Sequence, residues 1–208
     1  MATNINKDFG HATKTQGEMI YMKITLDKIA DVSVGALTTR FSKRYEGPKE
    51  EKEVLYYKGK EIYTETEEIA ADINDKYLSH KEDVLFRLSE PQFAVKVDGE
   101  NIKEGVVISS KFAIIKTNEE INPDFLVALL NSQIVKNQLN KYSEGQVIKL
   151  VKVKDLVKIE LTIPSLEEQK EYVETIELIN KEIHLQKKLI TENRNLKEAI
   201  IQKTQGGE

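Results

Sequence analysis

Few residues in this chain combine the types and spacing that catalysis demands. Asp98, Glu100 and Lys103 bring two carboxylates and a lysine into one short stretch, loosely like the cluster of a metal-dependent nuclease. Asp98-Gly99 is also a hairpin-turn dipeptide, and the turn is the preferred reading. The pairs Glu67–Glu68 and Glu119–Glu120 are adjacent, so their carboxylates do not converge on a common point. His11, His80 and His184 are scattered and make no metal site, and the absence of Cys removes thiolate nucleophiles, disulfides and Cys-type zinc sites together. No glycine-rich phosphate loop, GxSxG elbow or HExxH helix is present. The sequence therefore offers no catalytic residue, no metal site and no cofactor site of its own.

What stands out instead is cationic. The formal net charge is −4, but it is unevenly placed. Arg40 to Lys60 carries seven basic and four acidic residues, and Lys141 to Lys158 five and two, whereas Glu61 to Asp83 carries two and eight. Within the first basic segment, Thr38, Thr39, Arg40, Lys43, Arg44 and Tyr45 mix cations, hydroxyls and an aromatic ring in one loop. Such a set suits DNA, because Lys and Arg neutralise phosphates while Arg and Thr can hydrogen-bond base edges. Lys58, Lys60, Lys149 and Lys152 complete the candidate DNA-binding set. Composition alone gives these residues no more than a solvated surface, so the elements that carry them decide the reading.

Those elements fall into three parts: a tail over 1–22, a mixed domain over 23–162 and a helix over 163–208. Residues 1–17 are polar and without period, which predicts disorder, and Met19 and Met22 are alternative starts. From Lys23 the pattern gives a short strand, a helical turn at Leu26 to Ala30 and a strand ending before Gly35. The stretch from Ala36 to Lys52 is predicted as a loop. A strand and turn pivot at Gly59. Further strands are expected over Val84–Leu88, Phe93–Val97, Val106–Ile108 and Phe112–Ile115. A single helix should follow Asn122-Pro123, with Phe125, Leu126, Leu129, Leu130, Ile134 and Leu139 on its buried face. Val147–Val151, a helical turn and a last strand ending at Pro164 close an α+β domain.

Ser165 and Glu168 match a capping box, and no Gly or Pro interrupts the chain from there to Gln205. The helix they start should run for about 38 residues, roughly 57 Å. Ile176, Ile183 and Ile190 share one heptad position and Ile179, Gln186, Asn193 and Ile200 another, giving a coiled-coil seam flanked by Leu189 and Leu196. A seam of this kind requires a partner helix from a second copy or another protein. No apolar run reaches the length of a membrane span, and the chain reads as cytoplasmic.

The stretch GQVIKLVKVKDLVKIELTIPSLEEQKEYVETI resembles the join between a target-recognition domain and a spacer helix in the specificity subunits of type I restriction-modification systems. The residues that carry it are Gly145, Leu156, Ile163, Pro164, Leu166, Glu167, Glu168 and Gln169, with VSVGALTT, EDVLFRL and VVISSKFAIIKTNEEINPDFLVALLNS upstream. Ser165 stands where a second proline is common, and Lys170, Glu171 and Tyr172 where a more basic or apolar triplet is usual. The resemblance covers residues 23 to 203 but supplies one recognition domain and one long helix, where family members usually carry two of each. It implies a half-length, non-catalytic subunit that binds double-stranded DNA at a two-part site as a homodimer with antiparallel helices. It implies as partners methyltransferase subunits using S-adenosylmethionine and a restriction subunit. Arms of about 57 Å exceed one duplex turn of about 34 Å. The alternative from the residues alone is a coiled-coil scaffold whose head binds another protein.

Overall fold

The computed structural model describes residues 21–59, 61–142 and 150–206. The described chain forms two compact units, one ending at Gln169 and one from Lys170 onward. The first unit is built on three small sheets. β1 (Met22–Thr25) pairs antiparallel with β9 (Glu160–Ile163), joining the two ends of the domain. β2 (Ala30–Val34), β8 (Phe112–Thr117), β5 (Val84–Arg87) and β6 (Ala94–Lys96) form a four-stranded antiparallel sheet in that order. β3 (Lys49–Lys58) lies between β4 (Glu61–Ala70), its antiparallel hairpin partner, and β7 (Val107–Ile108), which runs parallel to it.

The pleat explains how the third sheet is buried on both faces. Successive strand residues point to opposite sides. Accordingly Leu55 and Ile108 enter one cluster with Leu85, Phe112 and Ile114, whereas their neighbours Val54 and Val107 enter another with Ala36, Ile69 and Ile73. Over 49–53 the β3 side chains are exposed or half-exposed, so charged residues tolerate the strand conformation, and β3 begins at Lys49 rather than after the predicted loop. That loop also contains a helical turn, α2 (Thr38–Phe41). Gly35 leads into it against the β7 backbone, where a Cβ would overlap the carbonyl oxygens of Ile108 and Ser109.

The expected single helix after Pro123 is two. Asn122 caps α3 (Pro123–Leu130), its side chain accepting from the amides of Asp124 and Phe125. Asn131 then breaks the run, because its amide both accepts from and donates to the backbone of Ala94, each at 2.9 Å. The Ser132 hydroxyl accepts from the Val135 amide as α4 (Gln133–Tyr142) starts. The restart changes the buried face: Ile134 is 72% exposed and Val135 only 1%. The predicted strand over Val147–Val151 lies mostly outside the described residues, and its end contributes an isolated bridge from Leu150 to Ser89. The predicted tail likewise lies outside them except for Tyr21 and Met22. α1 (Leu26–Ile29) and α5 (Val153–Leu156) are single turns whose apolar residues plug the core.

α6 (Leu166–Gln205) spans 40 residues, about 60 Å. Its start is the predicted capping box, with Ser165 N–H donating to Glu168 Oε2 at 3.0 Å and Glu168 N–H to Ser165 Oγ at 3.4 Å. Its first turn is fastened by Gln169, which is fully buried. Gln169 Nε2 donates to the carbonyls of Glu120 and Pro164, each at 3.0 Å, and Oε1 accepts from the Asn122 amide at 2.8 Å. No helix among the described residues is long and apolar enough to cross a membrane.

Candidate nucleic-acid interface

The cationic loop is held at both ends and left free in the middle. At one end the Phe41 ring packs 5.5 Å from that of Tyr77. At the other the Tyr45 hydroxyl donates to Asp72 at 2.6 Å, a bond that raises the phenol's pKa with help from burial and the Asp72 charge. Lys43 and Arg44 between these anchors, and Arg40 just before the first, are exposed and form no ion pair among the described residues. The Arg40 guanidinium lies 5.9 Å from the centroid of its neighbour Phe41. Thr39 is exposed as well. Thr38 is half-buried. Burial, followed by donation to Glu67, pushes the Tyr56 phenol up to about 12.

A second site forms where β3 turns at Gly59. Arg87, 5% exposed, donates through one guanidinium nitrogen to the carbonyl of Gly59 and through the other to the carbonyl of Glu90 at 2.7 Å. Its guanidinium carbon stands 3.4 Å from the Tyr57 ring centroid and 5.8 Å from that of Phe93. The Tyr57 hydroxyl lies 2.7 Å from Ser89 Oγ. Val151 donates to the Leu88 carbonyl at 2.8 Å, which brings the backbone before Lys152 to the same segment. Lys58 and Lys152, distant in sequence, therefore flank one turn around Arg87 to Glu90, and both are exposed. Lys60 and Lys149 lie outside the described residues.

The sequence reading passed over Arg87, Tyr56, Tyr57 and Lys111. The Lys111 ammonium is 5.2 Å from the Tyr56 ring centroid and 5.5 Å from that of Tyr57. Only the basic-plus-aromatic pairing of YYK with a later SSK hints at this, and nothing local in the sequence joins them.

Asp98 is a turn residue. Its Oδ1 accepts from the amides of Glu100, Asn101 and Ile102, and its Oδ2 from the Asn101 side chain. Burial raises its pKa, but these donors together outweigh it and hold the carboxyl at about 2. A carboxylate so engaged is spent on closing the loop at Gly99. Among the described residues no three His, Asp or Glu side chains gather to hold a metal.

In the second unit, Ile176, Ile179, Ile183, Ile190 and Ile200 are between about a third and three-fifths exposed, and Gln186 and Asn193 are exposed between them. Gln186 donates to Glu182 one turn back, at 3.0 Å. Leu189 and Leu196 do more than widen this seam. With Leu178 and Leu185 they form their own exposed stripe, centred roughly 100° round the helix from the seam at about 100° per residue.

The family described as type I restriction modification DNA specificity domain matches residues 21–192. No curated protein matches. Among solved structures, the HsdS subunit from Thermoanaerobacter tengcongensis is similar at a TM-score of 0.63 and 21% identity, over 88% of this chain and 47% of that one. A chain from a structure on complex assembly and conformational transition of the type I R-M system gives 0.60 and 18%, over 94% and 48%. The type I restriction-modification S subunit from M. genitalium gives 0.54 and 15%, over 92% and 47%. These likenesses carry the fold, and this chain spans about half the length of each.

Proposed function

The chain belongs to the type I restriction modification DNA specificity domain family, and from that premise we propose that it is a half-length specificity subunit reading one half of a two-part DNA site. The observation that carries the reading is the extent of the family match, which covers the cationic domain and most of the long helix together. The loop geometry supports it: three exposed cations on a tethered loop have no ion-pair partner among the described residues, which leaves them available for phosphate contacts. Arg40, Lys43, Arg44, Lys58 and Lys152 are the proposed DNA contacts, with Thr39 and Tyr45 beside them and Lys60 and Lys149 in the adjoining segments.

On this reading the chain does no chemistry. A second copy pairs along the isoleucine seam of α6, antiparallel, so that two domains read a site of two-fold symmetry. Methyltransferase subunits holding S-adenosylmethionine modify the DNA, a restriction subunit cleaves it, and the assembly works in the cytoplasm.

The test is selection from a random duplex library by the full chain, alone and with methyltransferase subunits, at low and high salt. The expected result is enrichment of a split sequence that is released as salt rises. Binding of other proteins with no enrichment under any of these conditions would favour the scaffold reading.

A further inference from the structure

Among the described residues, Lys111 is the one cation that lies over both the Tyr56 and the Tyr57 rings. Tyr56 and Tyr57 are consecutive in β3, so their rings leave opposite faces of the sheet. A single ammonium within 5.2 and 5.5 Å of the two centroids must therefore lie along the strand's edge, between the faces. Among the described residues β7 extends the ladder on that edge only at Val54 and Leu55, so the edge at Tyr56 and Tyr57 has no strand partner. The backbone around Lys111 reaches in both directions as well. Ser110 N–H donates to the Ala36 carbonyl at 2.7 Å, on the approach to α2, and Leu88 N–H donates to the Lys111 carbonyl at 3.0 Å, beside Arg87.

We infer that Lys111, held between Tyr56 and Tyr57, binds a backbone phosphate of DNA and joins the α2 loop to the Gly59 turn as one continuous phosphate track. The inference rests on the DNA-recognition reading above. Three features of the site fit a phosphodiester. The cation is exposed and has no ion pair among the described residues. Its two ring contacts restrict a side chain that is otherwise costly to order. A hydroxyl pair stands beside it, the Tyr57 phenol lying 2.7 Å from Ser89 Oγ. A lysine placed only to cover tyrosine rings would contribute to packing and leave salt dependence untouched.

The experiment measures duplex affinity against salt for the full chain with its methyltransferase subunits. Each phosphate contact contributes about −0.9 to the slope of log K on log salt. Lys111→Ala and Lys111→Gln are expected to make that slope shallower by about 0.9, with an unchanged thermal midpoint. Lys111→Arg should restore it, and Lys103→Ala, on a separate exposed lysine, should leave it alone. A wild-type slope in both Lys111→Ala and Lys111→Gln overturns the inference while leaving DNA recognition intact. A wild-type assembly that shows no duplex affinity at any salt overturns both.

Discussion

The Arg87 guanidinium lies flat enough against Tyr57 to bring its central carbon 3.4 Å from the ring centroid, while its nitrogens bond the carbonyls of Gly59 and Glu90. No carboxylate among the described residues pairs with this buried charge. It is satisfied by two carbonyl dipoles and an aromatic face, and in return it ties the β3–β4 turn to the segment after β5. A lysine in its place has no planar fork with which to reach both carbonyls. Arg87→Lys is therefore expected to cost about 2–3 kcal/mol of stability, read from denaturant midpoints. A loss below about 0.5 kcal/mol would mean that the turn does not depend on the bridge.

Gly35 is required for a different reason. The obstruction to a side chain there is the backbone of Ile108 and Ser109, at the end of β7, which is buried and cannot swing aside. Gly35→Ala should force β7 and the run-in to α2 apart at about 1–3 kcal/mol, the usual scale of overpacking. Amide exchange at Ala36 and Ser110, which bond Ile108 and Ala36 across this contact, should accelerate with it. Unchanged exchange at both would show that the backbone absorbs the methyl elsewhere.

These two residues mark where sequence reading reaches its limit. Asn122, the Ser165–Glu168 box and the turn at Gly59 declare themselves because their partners lie within four residues. The strand pattern of β5 and β8 is equally local. Arg87 sits in a strand that reads as a charged end, and what buries it are carbonyls brought in from the β3–β4 turn. Gln169 looks like a surface residue in a helix start, yet its partners are Glu120, Asn122 and Pro164. Asn131 broke the predicted helix by pairing with Ala94, a contact 37 residues away. The candidate cations were legible by type, but their grouping about Tyr56 and Tyr57 depends on long-range pairing that no local period encodes.

Asp98 supplies a prediction in pH. Its folded pKa of about 2 lies below the ordinary 3.8, so its contribution to stability is fully present above about pH 4 and fades as pH falls through 2. Asp98→Ala should lose about 1 kcal/mol at neutral pH from the emptied turn. The gap between wild type and variant should narrow as pH falls from 4 to 2, in thermal melts run across that range. A gap independent of pH would assign the loss to the turn's backbone alone.

Arg40 and Arg44 stand exposed on either side of Phe41 and form no ion pair among the described residues. Truncating both should leave stability within about 0.5 kcal/mol. The slope of log K on log salt for duplex binding should become shallower by about 1.8, for two lost phosphate contacts. Unaltered binding by the double variant would move the interface to the turn around Lys58 and Lys152.

The two apolar stripes of α6 allow the dimer seam to be tested against a control on the same helix. Ile183 lies at the middle of the isoleucine stripe and Leu185 in the leucine stripe, and both are exposed in the single chain. If two copies pair along the isoleucines, each dimer buries Ile183 twice, and each loss removes roughly 1.5–3 kcal/mol before the cost of a buried carboxylate is added. Ile183→Asp should then yield a monomer by light scattering, whereas Leu185→Asp should keep the dimer mass. The reverse pattern would assign self-association to the leucine stripe, leaving the isoleucines, with Gln186 and Asn193 among them, to meet a different helix.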